Sequence, residues 1–225
     1  MLATMTLLVA TSSCVSVRDQ DRKEPAAMQT RFPEFSWDHI PRYMHVWKTT
    51  SYTDEELDYL ATFPLITFEK AQGTDEGSVQ EGTLKAARAV KQRNPNARIL
   101  YYKNIVIDWP SAASKELETI AGSYLQSLDG SYPVVNTNSN CKFFDISRRK
   151  VQDWWVKDAA RMLDDPAIDG IFIDANIKVL HPSYFSQGKK VGKQKAARLR
   201  AGYEQLLNRI RSEEHTSELQ SQFRI

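Results

Sequence analysis

The sequence predicts a parallel α/β fold. Three observations predict it: four short apolar runs read as strands, a helical pattern follows each of them, and the runs are apolar throughout rather than alternating. A strand apolar on both faces is one that is covered on both faces, as in a parallel sheet packed under its crossover helices. No G-x-G-x-x-G follows the first run and no Walker loop occurs, so a dinucleotide or P-loop version is unsupported. Two architectures remain at this point, a (β/α)8 barrel and an open doubly wound sheet.

The elements follow in order. Asp19 to Thr30 is polar, contains Pro25 and reads as a linker. Tyr43-Met44-His45-Val46-Trp47 is the first strand candidate. Thr53-Asp54-Glu55-Glu56 is a capping box, because Thr53 can accept from the third helical amide while Glu56 reaches back. Leu57, Leu60 and Ala61 give that helix its apolar face, and Pro64 stops it. Leu65-Ile66-Thr67-Phe68-Glu69 is the second strand, and Thr83 to Arg93 the next helix, with Leu84, Ala87 and Val90 at helical spacing. Arg98 to Tyr102 is the third strand, running on towards Asn104 and Asp108. Ser114 to Leu128 reads as a helix ending at an Asp129-Gly130 turn. A strong helix from Ser147 to Leu163 carries the stripe Val151, Trp154, Trp155, Ala159, Met162, with Asp145 as its expected cap. Gly170-Ile171-Phe172-Ile173 is the fourth strand, ending at Asp174, and Gly192 to Ile210 the last helix.

The totals exclude several classes. A net charge of +2 gives no electrostatic argument for nucleic acid, and no zinc-finger, RNP-type or basic-zipper pattern occurs. The two cysteines, Cys14 and Cys141, form no C-x-x-C, and H-E-x-x-H is absent, so neither a zinc site nor a dithiol redox site is expected. Cys141 reads as a small buried residue.

In a barrel the active site lies at the C-terminal ends of the strands. The residues there are Trp47; Glu69 and Lys70; Lys103 and Asn104, with Asp108 and Trp109 beyond; then Asp174 and Asn176. Asp174 is the foremost catalytic candidate, because the apolar run before it fixes its position; capping the next loop or pairing with Lys178 is the competing role. Glu69 is the second catalytic candidate, against a salt bridge to Lys70 or Lys103. Trp47, Lys103, Asn104, Asp108, Trp109 and Asn176 are candidate substrate contacts. Trp47 and Trp109 suit either a sugar platform or the core, and Asp108 suits a turn. Tyr101 and Tyr102 alternate in and out, so one of them can reach the pocket. The basic cluster Lys189, Lys190, Lys193, Lys195, Arg198 and Arg200 reads as the solvated face of the last helix, with an anion site as the alternative.

Phe144-Asp145-Ile146-Ser147, then Trp154-Trp155, then Asp169-Gly170-Ile171-Phe172-Ile173-Asp174 resembles a run found in barrel glycosidases. It is most similar to the hypothetical glycosyl hydrolase families related to endo-α-1,4-polygalactosaminidases. The resemblance covers about residues 31–210. It implies a (β/α)8 TIM barrel, here about its first four βα units, hydrolysis of a polysaccharide or oligosaccharide through paired carboxylates, no cofactor, and Asp174 as the strand-end carboxylate. It also implies that the second carboxylate comes from a later strand. A non-catalytic carbohydrate-binding barrel is the alternative reading.

The two ends carry expectations of their own. Leu7 to Ala10 is apolar and small residues precede Cys14, which resembles the end of a secretory signal, although a basic n-region is missing. The run is too short to span a bilayer. Residues 1–30 are therefore read as a signal-like segment and linker, Cys14 as a candidate lipid anchor, and the protein as secreted, periplasmic or held at the cell surface. Arg211 to Ile225 resembles the in-frame translation of a sequencing-library adapter and is read as a non-native tail. On that reading residues 31–210 are a fragment of a domain. A four-unit piece has uncovered strand edges and is expected to associate or precipitate.

Overall fold

The structure, a computed structural model, describes residues 38, 40, 42–109, 111–134 and 140–213, with the backbone alone at 176, 177 and 211–213. The signal-like segment with Cys14, and residues 214–225 of the expected tail, lie outside the described residues. Among the described residues no helix is long and apolar enough to cross a membrane.

Strands β1 (Tyr43–Val46), β2 (Leu65–Phe68), β3 (Arg98–Asn104) and β4 (Gly170–Asp174) form one sheet in the order β1-β2-β3-β4. Every neighbouring pair is parallel. The helices are α1 (Asp54–Leu60), α2 (Val79–Arg93), α3 (Ser114–Glu118), α4 (Arg149–Leu163), α5 (Asn176–Leu180), α6 (Ser183–Ser186) and α7 (Lys193–Glu213).

Strand alternation divides the side chains into two sets. Ile66, Phe68, Ile99 and Tyr101 are buried in one cluster with Leu57 and Leu60 of α1, Ala87 and Val90 of α2, and Val151, Trp154 and Trp155 of α4. The register places His45 beside Thr67, Thr67 beside Leu100, and Tyr102 beside Phe172 on the other face. That face is strongly concave. Flat strands spaced about 4.8 Å apart would hold β1 and β4 about 14 Å from each other, yet the rings of His45 and Phe172 lie with centroids 5.0 Å apart, edge to face. Tyr102 stacks on Phe172 at 6.2 Å and completes the same aromatic floor. A flat open sheet cannot make this contact; a sheet curling as in a barrel can.

The capping box on α1 is present: Thr53 Oγ1 accepts from Glu56 N at 3.3 Å and Glu56 Oε2 accepts from Thr53 N at 2.8 Å. Helix α2 starts one turn before the expected Thr83, because Ser78 Oγ accepts from Glu81 N at 3.1 Å. The expected helix from Ser114 to Leu128 is cut to the five residues of α3. Gly122 takes a left-handed φ of 69°, and Tyr124 then bridges antiparallel to Phe144. Asp145 does not cap α4. The N-cap is Arg148, with no side-chain cap bond. Asp145 instead ties α7 to this loop through Lys195 Nζ at 2.5 Å. Helix α7 runs three residues past the expected Ile210.

Helix α7 crosses the start of α4 at Gly202. A Cβ there would lie 2.3 Å from the Ile146 carbonyl oxygen. Gln152 Nε2 donates to that oxygen at 2.9 Å, which keeps it in place. Gly202→Ala should therefore destabilise the fold by about 1–3 kcal/mol. A urea midpoint equal to wild type would refute the close approach.

Candidate active site

The C-terminal end of β4 carries Asp174, on the same face as Phe172. Its Oδ2 accepts from the Tyr102 hydroxyl at 2.6 Å and from Asn104 Nδ2 at 3.1 Å. Its Oδ1 accepts from the Ala175 backbone N–H at 2.6 Å. Ala175 makes that bond in a left-handed conformation, φ 68°, which costs a non-glycine residue about 1–2 kcal/mol. Such strain persists only where surrounding structure imposes it. Here β4 ends on one side and α5 begins on the other.

Partial burial works to raise the Asp174 pKa. Against it act the Tyr102 hydroxyl, the Ala175 N–H, the charge of Lys178 and the Asn104 amide, and together they hold the carboxyl below its ordinary value. Tyr102 is shifted upward, first by burial and then by the charges of Asp174 and Glu69, so its hydroxyl stays a donor. Asn104 is itself fixed. Its Oδ1 accepts from Val106 N at 3.0 Å and Ile107 N at 2.7 Å, and its carbonyl accepts from Trp155 Nε1 at 3.0 Å. Asp174, Tyr102 and Asn104 thus form one rigid unit spanning two strands.

Tyr102→Phe isolates the main hydrogen bond of this unit. It should raise the pH at which Asp174 titrates, followed by carboxyl-carbon NMR. A folded-state pKa below the unfolded one contributes stability above the unfolded value, lost as pH falls through the folded value. The variant should accordingly begin acid unfolding at a less acidic pH than wild type. An unchanged Asp174 titration would show that Tyr102 does not hold the charged form.

The other expected residues divide. Glu69 follows β2 and is paired with the adjacent Lys70, the competing role considered for it. Lys70 Nζ also lies 5.5 Å above the Tyr102 ring and 4.9 Å above Trp109. Trp47 is 63% exposed at the end of β1, so it is not core. Trp109 is half-buried, beside a cavity of about 40 Å³ that Asn104 and Asp108 also line. Asp108 accepts from Tyr124 Oη at 2.7 Å and Ser114 Oγ at 2.8 Å. Burial outweighs these bonds and moves its pKa up.

Lys103 has the other parity of β3. Tyr102 and Asn104 face the concave side, so alternation turns Lys103 towards α4. There it is buried and ion-paired with Asp158, with Nζ 4.7 Å from the Trp154 ring and 5.3 Å from that of Trp155. Its ammonium is engaged there, while the residue also borders the cavity beside Trp109. Asn176 opens α5, and its side chain lies outside the described residues.

His45 and Ala175 had no motif to announce them. The one signal for His45 was a polar ring centred in an apolar strand. Among the described residues no group of His, Cys, Asp or Glu is arranged to hold a metal ion.

The family model for hypothetical glycosyl hydrolase family 15 matches residues 91–219, more than half of the chain, and covers β3, β4 and the Asp174 unit between them. The chain belongs to this family. This hypothetical glycosyl hydrolase family 15 member matches no curated protein. Its fold is similar to the glycoside hydrolase domain of PelA from Pseudomonas aeruginosa, with a TM-score of 0.51 at 13% identity. That likeness covers 77% of this chain and 56% of that one. The GH36 α-galactosidase AgaB from Geobacillus stearothermophilus is also similar, with a TM-score of 0.49 at 14% identity over 77% of this chain and 26% of that one. The family 15 chain thus spans little more than half the length of the PelA domain.

Proposed function

We propose that this chain carries the Asp174 side of a glycosidase active site, within the first four units of an eight-stranded barrel. The observation that carries the reading is the fixed, ionised Asp174 at the C-terminal end of a concave parallel sheet, held by Tyr102, Asn104 and the Ala175 N–H. Glycoside hydrolysis needs one carboxylate that meets the anomeric carbon and another carboxyl group that protonates the leaving oxygen. A carboxyl kept below its usual pKa is ionised at neutral pH, so Asp174 suits the first role and not the second. The fold likeness to glycoside hydrolase domains supports the barrel.

Glu69 is the second carboxylate we assign among the described residues. It follows β2, and its charge is felt at Tyr102. Trp47, exposed beside it, offers a sugar platform, and Trp109 and Asp108 line the adjoining cavity. The substrate is a polysaccharide or oligosaccharide, and the protein acts outside the cytoplasm, as its signal-like start suggests. Release of reducing ends from a panel of polysaccharides tests the reading. No release from any glycan, by folded full-length protein, would leave the carbohydrate-binding alternative.

A further inference from the structure

Of the basic residues between Lys189 and Arg200, Lys190, Lys193 and Arg198 are exposed and Lys189, Lys195 and Arg200 half-buried or nearly so, and three of them border one cleft. Helix α7 is the first long helix after β4, and α4 begins where the loop from β3 ends, so both start on the Asp174 end of the sheet. A cleft of about 420 Å³ opens between these two starts, lined by Tyr124, Gln126, Arg148, Lys193, Lys195 and Arg198. Its size is that of a ligand pocket, about 300–1,000 Å³.

Asp145 is the one acid in its lining. That carboxylate is already engaged by Ser147 Oγ at 2.6 Å, Arg148 Nε at 3.1 Å and Lys195 Nζ at 2.5 Å. One carboxylate facing four cations leaves the cleft strongly positive. Lys193 and Arg198 form no ion pair among the described residues. Gly122 makes room for the Arg148 guanidinium, since a Cβ there would lie 2.7 Å from its Cζ.

The segment from Tyr184 to Gly192 leads into the cleft, whose lining includes Val191 and Gly192. Burial, and after it the charge of Asp174, pushes Tyr184 up to about 12. Lys189 Nζ lies 5.3 Å above the Tyr184 ring. The Lys189 carbonyl accepts from Ser127 Oγ at 2.8 Å, and the Lys190 carbonyl from Leu128 N at 3.0 Å. Leu128 forms a wall of the cleft.

We infer that this cleft is a subsite for a negatively charged sugar unit, so that the polymer acted on is an acidic polysaccharide bearing carboxylate or sulfate groups. The inference rests on the reading of the chain as one that acts on glycans. Guanidinium and ammonium groups bind such anions through charge-assisted hydrogen bonds. A polymer spans several sugar units, so an anion site at the same end of the sheet as Asp174 would fix its register.

Calorimetric titration of the full chain with polygalacturonate, dextran sulfate and uncharged dextran, at one ionic strength, tests this. At least one acidic polymer should bind and dextran should not; whichever binds identifies the anion. The double variant Lys193→Ala/Arg198→Ala, checked for fold by circular dichroism, should bind about tenfold more weakly or worse. A control removing two cations elsewhere, Lys85→Ala/Arg88→Ala on α2, should bind as wild type does. Equal weakening in both variants, or no binding of either acidic polymer, overturns the inference. The same mixtures are assayed for reducing ends. Binding lost in the double variant but without cleavage would keep the subsite and remove the hydrolytic reading. Cleavage of dextran without acidic binding would do the reverse.

Discussion

Asp174→Asn should lower glycan turnover by about 10³ or more, equivalent to about 4 kcal/mol of transition-state stabilisation. The substitution keeps the shape of the side chain and removes its charge. On the proposed reading it thereby removes the group that meets developing positive charge at the anomeric carbon. One hydrogen bond is also lost. The carboxylate accepts from Tyr102 on one oxygen and from the Ala175 N–H on the other. An amide can offer its single oxygen to only one of them. A modest loss of stability, about 1–3 kcal/mol, should therefore accompany the loss of turnover. The two effects separate by comparing variant and wild type well below their melting temperatures. Wild-type turnover by a folded variant would sink the assignment.

The second large effect concerns stability. Lys103 and Asp158 are both buried, side chains 8% and 4% exposed, and paired between β3 and α4. Removing one partner leaves a charge in a low-dielectric interior. Lys103→Met or Asp158→Leu alone should each cost about 3–5 kcal/mol in chemical denaturation. The double variant should be far less harmful than either, and neutral or stabilising if the apolar pair packs. Arg161 Nη2, 3.2 Å from Asp158, is the complication. It would be left without its buried acceptor, but it is half-exposed and can turn to water. Additive losses in the double variant would show that the two residues are not energetically paired.

The two predictions separate what the sequence made legible from what it did not. The strands were legible because each is a short apolar run, and their ends fell within two residues of the expected ones. Thr53 and Glu56 announced α1 because a capping box is local chemistry. The same logic was available at Ser78 and Glu81, and applying it would have started α2 correctly. Asp174 was placed by its strand end alone, without any knowledge of what holds it. Tyr102 and Lys103 show where a reading from residue order stops. Both stand near the end of β3, and both are polar-tipped, but alternation sends one to the concave face and the other into the helix layer. Which parity faces which side depends on the sheet's curvature, a property of four strands together. Asp145 failed as a cap for a related reason. Its partner Lys195 stands fifty residues away in sequence, and no local pattern points to it.

The edge-to-face contact of His45 with Phe172 has a consequence for how the chain reaches this structure. Its two rings come from the first and last strands of the sheet. The loop that must close to join them is long, and its entropy cost is met only once the strands between are in register. A chain emerging from the ribosome therefore exposes its aromatic floor, with Tyr102 in it, until β4 has been synthesised. During that interval the parallel strands already made have no fourth neighbour, and long-range parallel pairing is intrinsically slow. Until Phe172 arrives, the nascent protein thus carries an aromatic floor without its last partner, open to wrong contacts.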